Sequence, residues 1–384
     1  MPPRGSAHCS SFTLSAGPLR CSSLIICGVM QPRAGWSSPS PSPTACSRSA
    51  SPPASAATPA PDRPAPDWHV APHVPSGRVA VGMAWGAMRR IWAIGLFLLA
   101  LGYAAIWAFA PLSPALLARL WFLPGIGLLG ALVANTSGTG GGVVFVPVFN
   151  ILRDSGIMAL DRTQVVAASF LIQSFGMTMG ALRWSTGLHA QPVAARAVTL
   201  RDFWRVVALV LALSLPVMLA TQRVARFDPH DVLLAFKGFS ILLGIAVIAT
   251  TWTVNRNRPP RTDMLSIDLL VLAALAVLGG FVTALFSVGV GELVALYLFI
   301  RHYPIVLCTG TAVVISAVSV LAGAPFHIVE GNVVWEVVVL AAPGALLGGW
   351  LARPLALRLG ANRLKTLDGG WILLSSLYLI ALNV

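Results

Sequence analysis

The sequence predicts an all-α polytopic membrane protein, and its composition and charge-free windows support this class. Hydrophobic residues make up 56% of the chain and charged residues 10%, with a mean hydropathy of +0.79. A soluble domain usually carries about 25% charged residues. A bilayer is crossed by roughly 20 apolar residues, and the charge-free windows of that length include 91–118, 120–152, 163–182, 269–291 and 303–329. These runs are continuous rather than alternating, which disfavours a β-barrel.

The windows predict two repeats of about four helical units each, preceded by one extra N-terminal membrane helix within residues 86–118. In the first repeat, residues 119–255, a long unit at 120–152 is followed by helices at 164–182, 203–221 and 232–252. In the second repeat, residues 265–384, a long unit at 269–300 is followed by helices at 305–326, 333–351 and 366–384. The extra helix is predicted at 91–110.

The first 85 residues differ from the rest, being rich in Ser, Pro, Ala and Arg with no acidic residue before Asp62. Such a segment cannot bury a core and is predicted to be disordered. Three origins are open for it. Translation could begin downstream at Met83 or Met88, the tail could be a genuine disordered segment, or it could be an organelle transit peptide.

The net charge of +13 is not a nucleic-acid signature, because the Lys and Arg residues fall in short loops and in the tail. This distribution is typical of membrane proteins oriented by the positive-inside rule, so the bilayer is the expected partner. The cysteines form no CxxC pair and no Cys/His cluster, so we expect no metal site, cofactor or disulfide framework. They are Cys9, Cys21, Cys27 and Cys46 in the tail and Cys308 in an apolar segment.

An irregular segment, "ANTSGTGGGVVFVPVF", interrupts the first long unit at residues 134–149. Its glycines are Gly138, Gly140, Gly141 and Gly142. Irregular backbone at membrane depth is tolerated where it is buried in protein or lines a cavity, and glycine lets the main chain approach a ligand closely. The N–H groups that begin the following half-helix would attract an anion. Close helix packing is the alternative role for these glycines.

Small polar residues and a second glycine turn complete the predicted anion site. Side-chain donors come from the irregular segment and from the helices that follow each long unit. The candidates are Asn135, Thr136, Ser137, Thr139 and Ser169 in the first half and Ser287, Gly289, Gly291, Thr309 and Thr311 in the second.

The second long unit echoes the first, since it reads "VLGGFVTALFSVGVGELVALYLFI" at 277–300. Residues 289–292 align with 138–141, and each turn is followed by a loop and a helix with a small polar patch. This alignment pairs Ser169 with Thr311. Repeats that contain broken helices are typical of secondary transporters, whose binding site lies near the bilayer midplane between the broken segments.

Glu292 stands at the second turn, where the first half has Gly141. A carboxylate at membrane depth is a functional hypothesis by default. Two roles are open: Glu292 could carry a coupled proton, or it could cap the following half-helix by accepting its N–H groups.

The arrangement of the repeats depends on whether each long unit crosses the membrane once or turns back as a hairpin. With hairpins, the arginine-rich loops at 183–205, 253–267 and 352–365 lie on the cytoplasmic side. Few basic residues then remain outside, namely Arg119, Arg153, Arg162, Arg223 and Arg226. The positive-inside rule therefore favours hairpins, and hairpins make the two repeats inverted.

Other functional classes are disfavoured by missing motifs. No Lys-Ser/Thr follows the glycines as in a phosphate-binding P-loop, and no ATPase signature appears. No Ser/His/Asp or HExxH constellation is present, so an intramembrane enzyme is least favoured. Two hypotheses remain: a secondary transporter of a small anion, or a non-transporting scaffold or accessory subunit with a degenerate second site.

Six segments in order resemble the sulfite exporter TauE/SafE family of membrane transporters. They read "GLLGALVANTSGTGGGVVFVPVF", "TQVVAASF", "GGFVTALFSVGVG", "CTGTAVV", "GNVVW" and "PGALLGGWLARPLALRL". The resemblance covers about residues 120–384. It implies roughly eight membrane helices in two repeats, a bacterial inner membrane, and movement of small sulfur-containing anions such as sulfite, organosulfonates or sulfoacetate.

The family's glycine-rich motif can be placed residue by residue on this sequence. The first copy falls on Gly138, Gly140, Gly141, Gly142 and Pro147, and the second on Gly289 and Gly291. The second copy departs from the family pattern, because Glu292 stands where glycine is typical and no proline follows as Pro147 follows the first. A fixed negative charge at that point would oppose an anion unless the carboxyl group is protonated or turned away.

Overall fold

A computed structural model gives the structure of the chain and describes residues 78–190, 198–224, 228–254, 261 and 263–381. Most of the predicted tail, residues 1–77, lies outside the described residues together with Cys9, Cys21, Cys27 and Cys46. Every regular element of the described part is helical. The helices are α1 (Arg78–Phe109), α2 (Pro114–Arg119), α3 (Leu123–Ser137), α4 (Gly142–Asp154), α5 (Arg162–His189), α6 (Leu200–Val224), α7 (Pro229–Ala249), α8 (Ser266–Phe286), α9 (Val290–Ile300), α10 (Ile305–Val329), α11 (Trp335–Leu359) and α12 (Ala361–Ala381), and a π-helical turn, Thr250–Val254, extends α7.

Among the described residues, seven helices are long and apolar enough to cross a membrane, which confirms the polytopic all-α class. They are Arg89–Phe109, Arg162–His189, Leu200–Val224, His230–Thr253, Ser266–Phe286, Ile305–Val329 and Trp335–Leu359. Two shorter apolar helices, Leu123–Ser137 and Val290–Ile300, come from the two predicted long units.

Several helices extend past the boundaries that charge predicted. Helix α1 begins at Arg78 rather than at residue 91, so Met83 and Met88 lie within it. Helix α5 continues through Arg183 to His189, and α11 continues through Arg353 to Leu359. Arginine is a good helix former, so a charge at the end of an apolar run does not by itself end a helix.

Each predicted long unit is divided into two helices that fold back on each other. A Cβ added at Gly279 of α8 would lie 2.6 Å from the Cα atom of Val290 in α9. In one straight helix these residues would be about 16 Å apart, since the rise is 1.5 Å per residue. In the same way, the Phe145 ring of α4 lies against Gly130 of α3. The pairs α3–α4 and α8–α9 are therefore two helical hairpins.

Small residues bring the hairpins into close contact with their neighbouring helices. A Cβ at Gly344 of α11 would lie 1.8 Å from the carbonyl oxygen of Pro124 in α3. A Cβ at Gly280 of α8 would lie 2.5 Å from the carbonyl oxygen of Ser214 in α6. Side chains at these positions would push the helices apart, so glycine here serves packing. The most extensive helix contacts are α3–α11, α5–α10, α5–α11, α6–α8, α7–α12, α9–α10 and α6–α10.

The open end of the second hairpin is held together by one fully buried carboxylate, Asp268 at the start of α8. Tyr297 and Tyr303 each donate a hydroxyl hydrogen bond of 2.6 Å to it, and the Nε–H of Arg301 donates at 2.7 Å. Burial and the hydrogen bond to Asp268 raise the pKa of the Tyr303 phenol, which follows α9. The network ties the far end of α9 to the beginning of α8. We call it the Asp268 clamp.

Candidate functional site

The first hairpin turns at residues 138–141, which we call the first turn. Gly138 leaves α3 with a φ of +81°, a left-handed conformation that glycine adopts without a Cβ penalty. A Cβ at this position would also lie 2.9 Å from the Cα atom of Thr309 in α10. The hydroxyl groups of Ser137 and Thr139 are 2.6 Å apart and face each other across the turn. The four predicted glycines therefore mark the point where α3 ends and α4 begins.

The second hairpin turns at residues 287–289, which we call the second turn. Ser287 has a φ of +60° and Gly289 a φ of +146°. Thr283 stabilises the turn from α8, because its hydroxyl donates to the carbonyl of Gly279 at 2.7 Å and accepts the N–H of Val290 at 3.0 Å. Thr283 was not predicted as a site residue, since nothing in the sequence distinguishes its hydroxyl from others in apolar helices.

The two turns touch each other directly. A Cβ at Gly142 would lie 2.4 Å from Cγ2 of Val288 and 2.5 Å from the carbonyl oxygen of Ser287. The N-termini of α4 and α9 therefore meet inside the bundle. Both carry N–H groups with partial positive charge, because the first turn of a helix leaves its amides without intrahelical partners.

One carboxylate joins the two turns, and it belongs to Glu292. Its Oε2 accepts the N–H of Gly289 at 2.7 Å, and its Oε1 accepts the N–H of Gly140 from the other hairpin. The side chain is 2% exposed. The first bond is that of a helix cap on α9, whereas the second was not predicted. A Cβ at Gly140 would lie 2.8 Å from Oε1, so a side chain there would disturb this contact.

Gln173 of α5 forms a second bridge between the halves. Its Nε2 donates to the hydroxyl of Ser169 at 2.9 Å and to the hydroxyl of Ser287 at 2.7 Å. Its Oε1 is buried and accepts no hydrogen bond from the described residues, yet it lies 3.5 Å from the Cβ position of Gly140. Gln173 was not predicted as a site residue, although a glutamine within the charge-free helix 164–182 was a usable signal.

The structure brings most of the predicted site residues to the two turns. Beside the glycines Gly138, Gly140, Gly141, Gly142 and Gly289, these are Ser137, Thr139, Ser169, Ser287, Thr309 and Glu292. The side chains listed here are at most 2% exposed. In so dry a region, each N–H group interacts more strongly with an anion than it would in water.

Four predicted residues face elsewhere. The amide nitrogen of Asn135 donates to the carbonyls of Ala131 and Gly176 and so packs α3 against α5. The hydroxyls of Thr136 and Thr311 donate to carbonyls one turn earlier in their own helices. A Cβ at Gly291 would lie 2.1 Å from Oγ of Ser316, so this glycine faces α10. Such local hydrogen bonds are common for polar side chains within helices.

Among the described residues, no group of three or more His, Cys, Asp or Glu is arranged to hold a metal ion. Cys308 is buried, and its thiol donates to the carbonyl of Tyr303 at 3.2 Å. The site is therefore made of main-chain amides, hydroxyls, one amide side chain and one carboxylate.

Comparison with protein-family models gives a match to the family described as sulfite exporter TauE/SafE, over residues 123–379. The matched segment begins at the first residue of α3 and ends within α12, so it includes both hairpins. A search of curated proteins and a search of solved structures each gave no match.

Proposed function

Because the chain belongs to the sulfite exporter TauE/SafE family of membrane transporters, as its sequence resemblance predicted, we propose a specific transport function for it. It is a secondary transporter of a small sulfur-containing anion, such as sulfite or a sulfonate, in a bacterial inner membrane. The anion binds between the two turns, at the N-termini of α4 and α9.

The observation that carries this proposal is the position of the Glu292 carboxylate. It accepts N–H groups from Gly140 and Gly289, which belong to different hairpins. A carboxylate and a sulfite group present the same feature to these donors, namely negatively charged oxygen atoms. Two helix N-termini that converge on one anion form a ready anion site. In this arrangement Glu292 occupies the place that the substrate needs.

The orphaned oxygen of Gln173 adds a group for recognising a protonated substrate. Buried polar atoms are normally hydrogen-bonded, so Oε1 of Gln173 is matched to a donor that enters the site. An anion that retains one proton, such as hydrogensulfite, offers both the negative oxygens for the turns and a hydroxyl donor for this amide. The amide and the turns together would then favour hydrogensulfite over a sulfonate, which has no proton to donate.

A proton on Glu292 would couple the two movements. Protonation weakens the attraction between the carboxyl group and the amides, and a substrate anion then replaces it. Release of the anion lets the carboxylate return. In this scheme a proton and an anion are bound at the same step. The chain would therefore carry both together, as a proton-coupled cotransporter does.

The packing of the helices supports an inverted repeat around this site. If α3–α7 correspond in order to α8–α12, the contact of α3 with α11 corresponds to that of α8 with α6. The contact of α5 with α11 likewise corresponds to that of α10 with α6, and α5–α10 and α7–α12 each join counterparts. Each repeat then has one hairpin, which starts and ends on the same side of the membrane, and three further helices. The number of crossings is odd, so the second repeat is inverted.

Transport of radiolabelled sulfite into proteoliposomes tests the proposal. We expect uptake by the wild-type chain that depends on the pH gradient, and loss of uptake in Gly140→Leu because its side chain collides with Oε1 of Glu292. Gly125→Leu is the matched control, since Gly125 lies on α3 with no atom within 4 Å of its Cβ position. No movement of sulfite or of methanesulfonate, with Gly140→Leu behaving like wild type, would favour the scaffold alternative.

Glu292→Gln separates the two roles of the carboxylate. The variant keeps the shape of the side chain but cannot bind or release a proton. We expect uptake that no longer responds to the pH gradient. If the response is unaltered, Glu292 is only a cap on α9, and another group carries the proton.

A further inference from the structure

Two arginines lie in a reciprocal arrangement near the C-terminal ends of α5 and α11, away from the two turns. The Cζ atom of Arg183 in α5 is 5.2 Å from the ring centroid of Trp350 in α11. The Cζ atom of Arg353 in α11 is 5.9 Å from the ring centroid of Trp184 in α5. Both distances are within the range of cation–π contacts, so each guanidinium packs on a ring of the opposite helix. We call this group the arginine pair.

Among the residues that the structure describes, the arginine pair has no matching negative group. Within the described residues, neither guanidinium forms a salt bridge, and the buried Nε atoms of both have no hydrogen-bond acceptor. A guanidinium has five N–H donors and accepts nothing, and the ring faces satisfy its charge but not its donors. Buried donors in proteins are normally paired, and a ligand with several acceptor oxygens would pair these.

The chain is shaped to hold Arg353 in this place. A Cβ at Gly187 of α5 would lie 2.1 Å from Cζ of Arg353, so the guanidinium rests directly on the α5 backbone. Trp184, the ring beneath it, is fully buried, and its indole N–H donates to the carbonyl of Asn135 at 3.0 Å. Asn135 belongs to the last turn of α3 before the first turn. A single aromatic side chain therefore links the arginine pair to the region of the two turns.

We propose that Arg183 and Arg353 form a second anion-binding site that takes an oxyanion group. Two guanidinium groups can bind one oxyanion through paired N–H···O bonds. The negative charge of the oxyanion then compensates the repulsion between the two guanidinium charges. The ligand is a free sulfur oxyanion or the phosphate of an anionic lipid headgroup, which share this chemistry. The site is separate from the two turns and does not require that the chain transports anything.

Calorimetric titration of the purified chain tests the site, in nanodiscs of neutral phosphatidylcholine, with sulfite and methanesulfonate as probes. Arg183→Gln and Arg353→Gln should each weaken binding about tenfold, as expected for the loss of a charge-assisted contact. Arg358→Gln, at an exposed position of the same helix end, should leave the affinity unchanged. Binding that persists in Gly140→Leu and is weakened by Arg353→Gln belongs to the arginine pair, whatever happens at the turns.

A lipid arm distinguishes the two sources of the oxyanion. If the ligand is a lipid headgroup, native mass spectrometry should show phosphatidylglycerol retained by wild type and by Arg358→Gln, and lost from Arg183→Gln and Arg353→Gln. The inference is overturned if both anion affinity and lipid retention are the same in all three arginine variants. The two arginines then only anchor the helix ends at the membrane interface.

Gly187→Ala tests the geometry while keeping both charges. Its Cβ displaces Arg353, so we expect an affinity loss similar to that of Arg353→Gln. Gly238→Ala on α7 is the matched control, because no atom lies within 4 Å of its Cβ position. Arg353 rests against the α5 backbone at Gly187, so a variant there could fail to fold. Arg183→Gln keeps the test decisive in that case. Equal affinities in Gly187→Ala and Gly238→Ala would contradict a site built around Arg353.

Discussion

The two hairpins use the same turn chemistry but differ in the charge they bring to it. The first turn has only glycines and hydroxyls, whereas the second is followed by Glu292, whose carboxylate reaches the N–H of Gly140. One hairpin thus receives an anion that the other supplies. A sequence echo that looks like a weakened copy of a glycine motif supplies, in three dimensions, a carboxylate that binds the first turn.

The open ends of the two hairpins differ as well. The second is held by the Asp268 clamp, in which a fully buried carboxylate accepts two hydroxyls and a guanidinium. The corresponding end of the first has the Arg153–Asp154 pair, which joins neighbours in sequence and is partly exposed. By its polar contacts, the hairpin that supplies the carboxylate is therefore the more firmly held at its open end.

The largest effect is expected where the two turns touch. In Gly142→Ala, the new Cβ would lie 2.5 Å from the carbonyl oxygen of Ser287, a main-chain atom that cannot move alone. Forcing a methyl group into a packed contact shifts backbone, so sulfite transport should fall about tenfold or more. Gly125→Ala, which enters open space on α3, should transport normally. Equal rates in the two variants would mean that contact between the turns is not needed.

The difference between the open ends predicts a difference in stability. Asp268→Asn leaves Arg301 without its partner and weakens two hydroxyl hydrogen bonds, so it should lower the free energy of unfolding by about 3 kcal/mol. Asp154→Asn should lower it by about 0.5 kcal/mol, as is typical of partly exposed ion pairs. Thermal unfolding of both variants in detergent measures this. Similar losses would show that the second hairpin is not the more firmly held one.

The smallest effect is expected at Ser287, where two contributions oppose each other. Its φ of +60° is unfavourable for a residue with a Cβ, so Ser287→Gly relieves strain of about 1 kcal/mol. The same change removes the 2.7 Å hydrogen bond from Gln173, which is worth about 1 kcal/mol. Stability should therefore change little, while Ser287→Ala should be destabilising because it loses the bond and keeps the strain. A large loss in Ser287→Gly would show that the bridge through Gln173 dominates.

The class, the helix order and the position of the first turn could be predicted because they depend on local composition. Long charge-free windows predict membrane helices, and a glycine-rich run such as 138–142 favours a break between two helices. The bond between Glu292 and Gly140 could not be predicted, because it depends on how two hairpins meet across the bundle. The role of Asn135 was missed for a similar reason, since a helical polar residue can turn its amide toward carbonyls of its own or a neighbouring helix.

The ends of α5 and α11 show the limit of charge as a boundary signal. Arg183 and Arg353 stood at the edges of apolar windows and were assigned to loops. The structure keeps both in helices, and each guanidinium packs over a tryptophan of the opposite helix. Pairing of this kind requires knowing which helices are neighbours, and the sequence alone does not give that.

The central claim is that the Glu292 carboxylate occupies the anion site formed by the two turns. Calorimetric titration of sulfite tests it most directly, with Arg353→Gln compared with the double variant Arg353→Gln/Glu292→Gln. Both have weakened binding at the arginine pair. A neutral amide competes poorly for the N–H groups of Gly140 and Gly289, so Glu292→Gln should bind sulfite about tenfold more tightly. Equal or weaker binding by Glu292→Gln would contradict the claim.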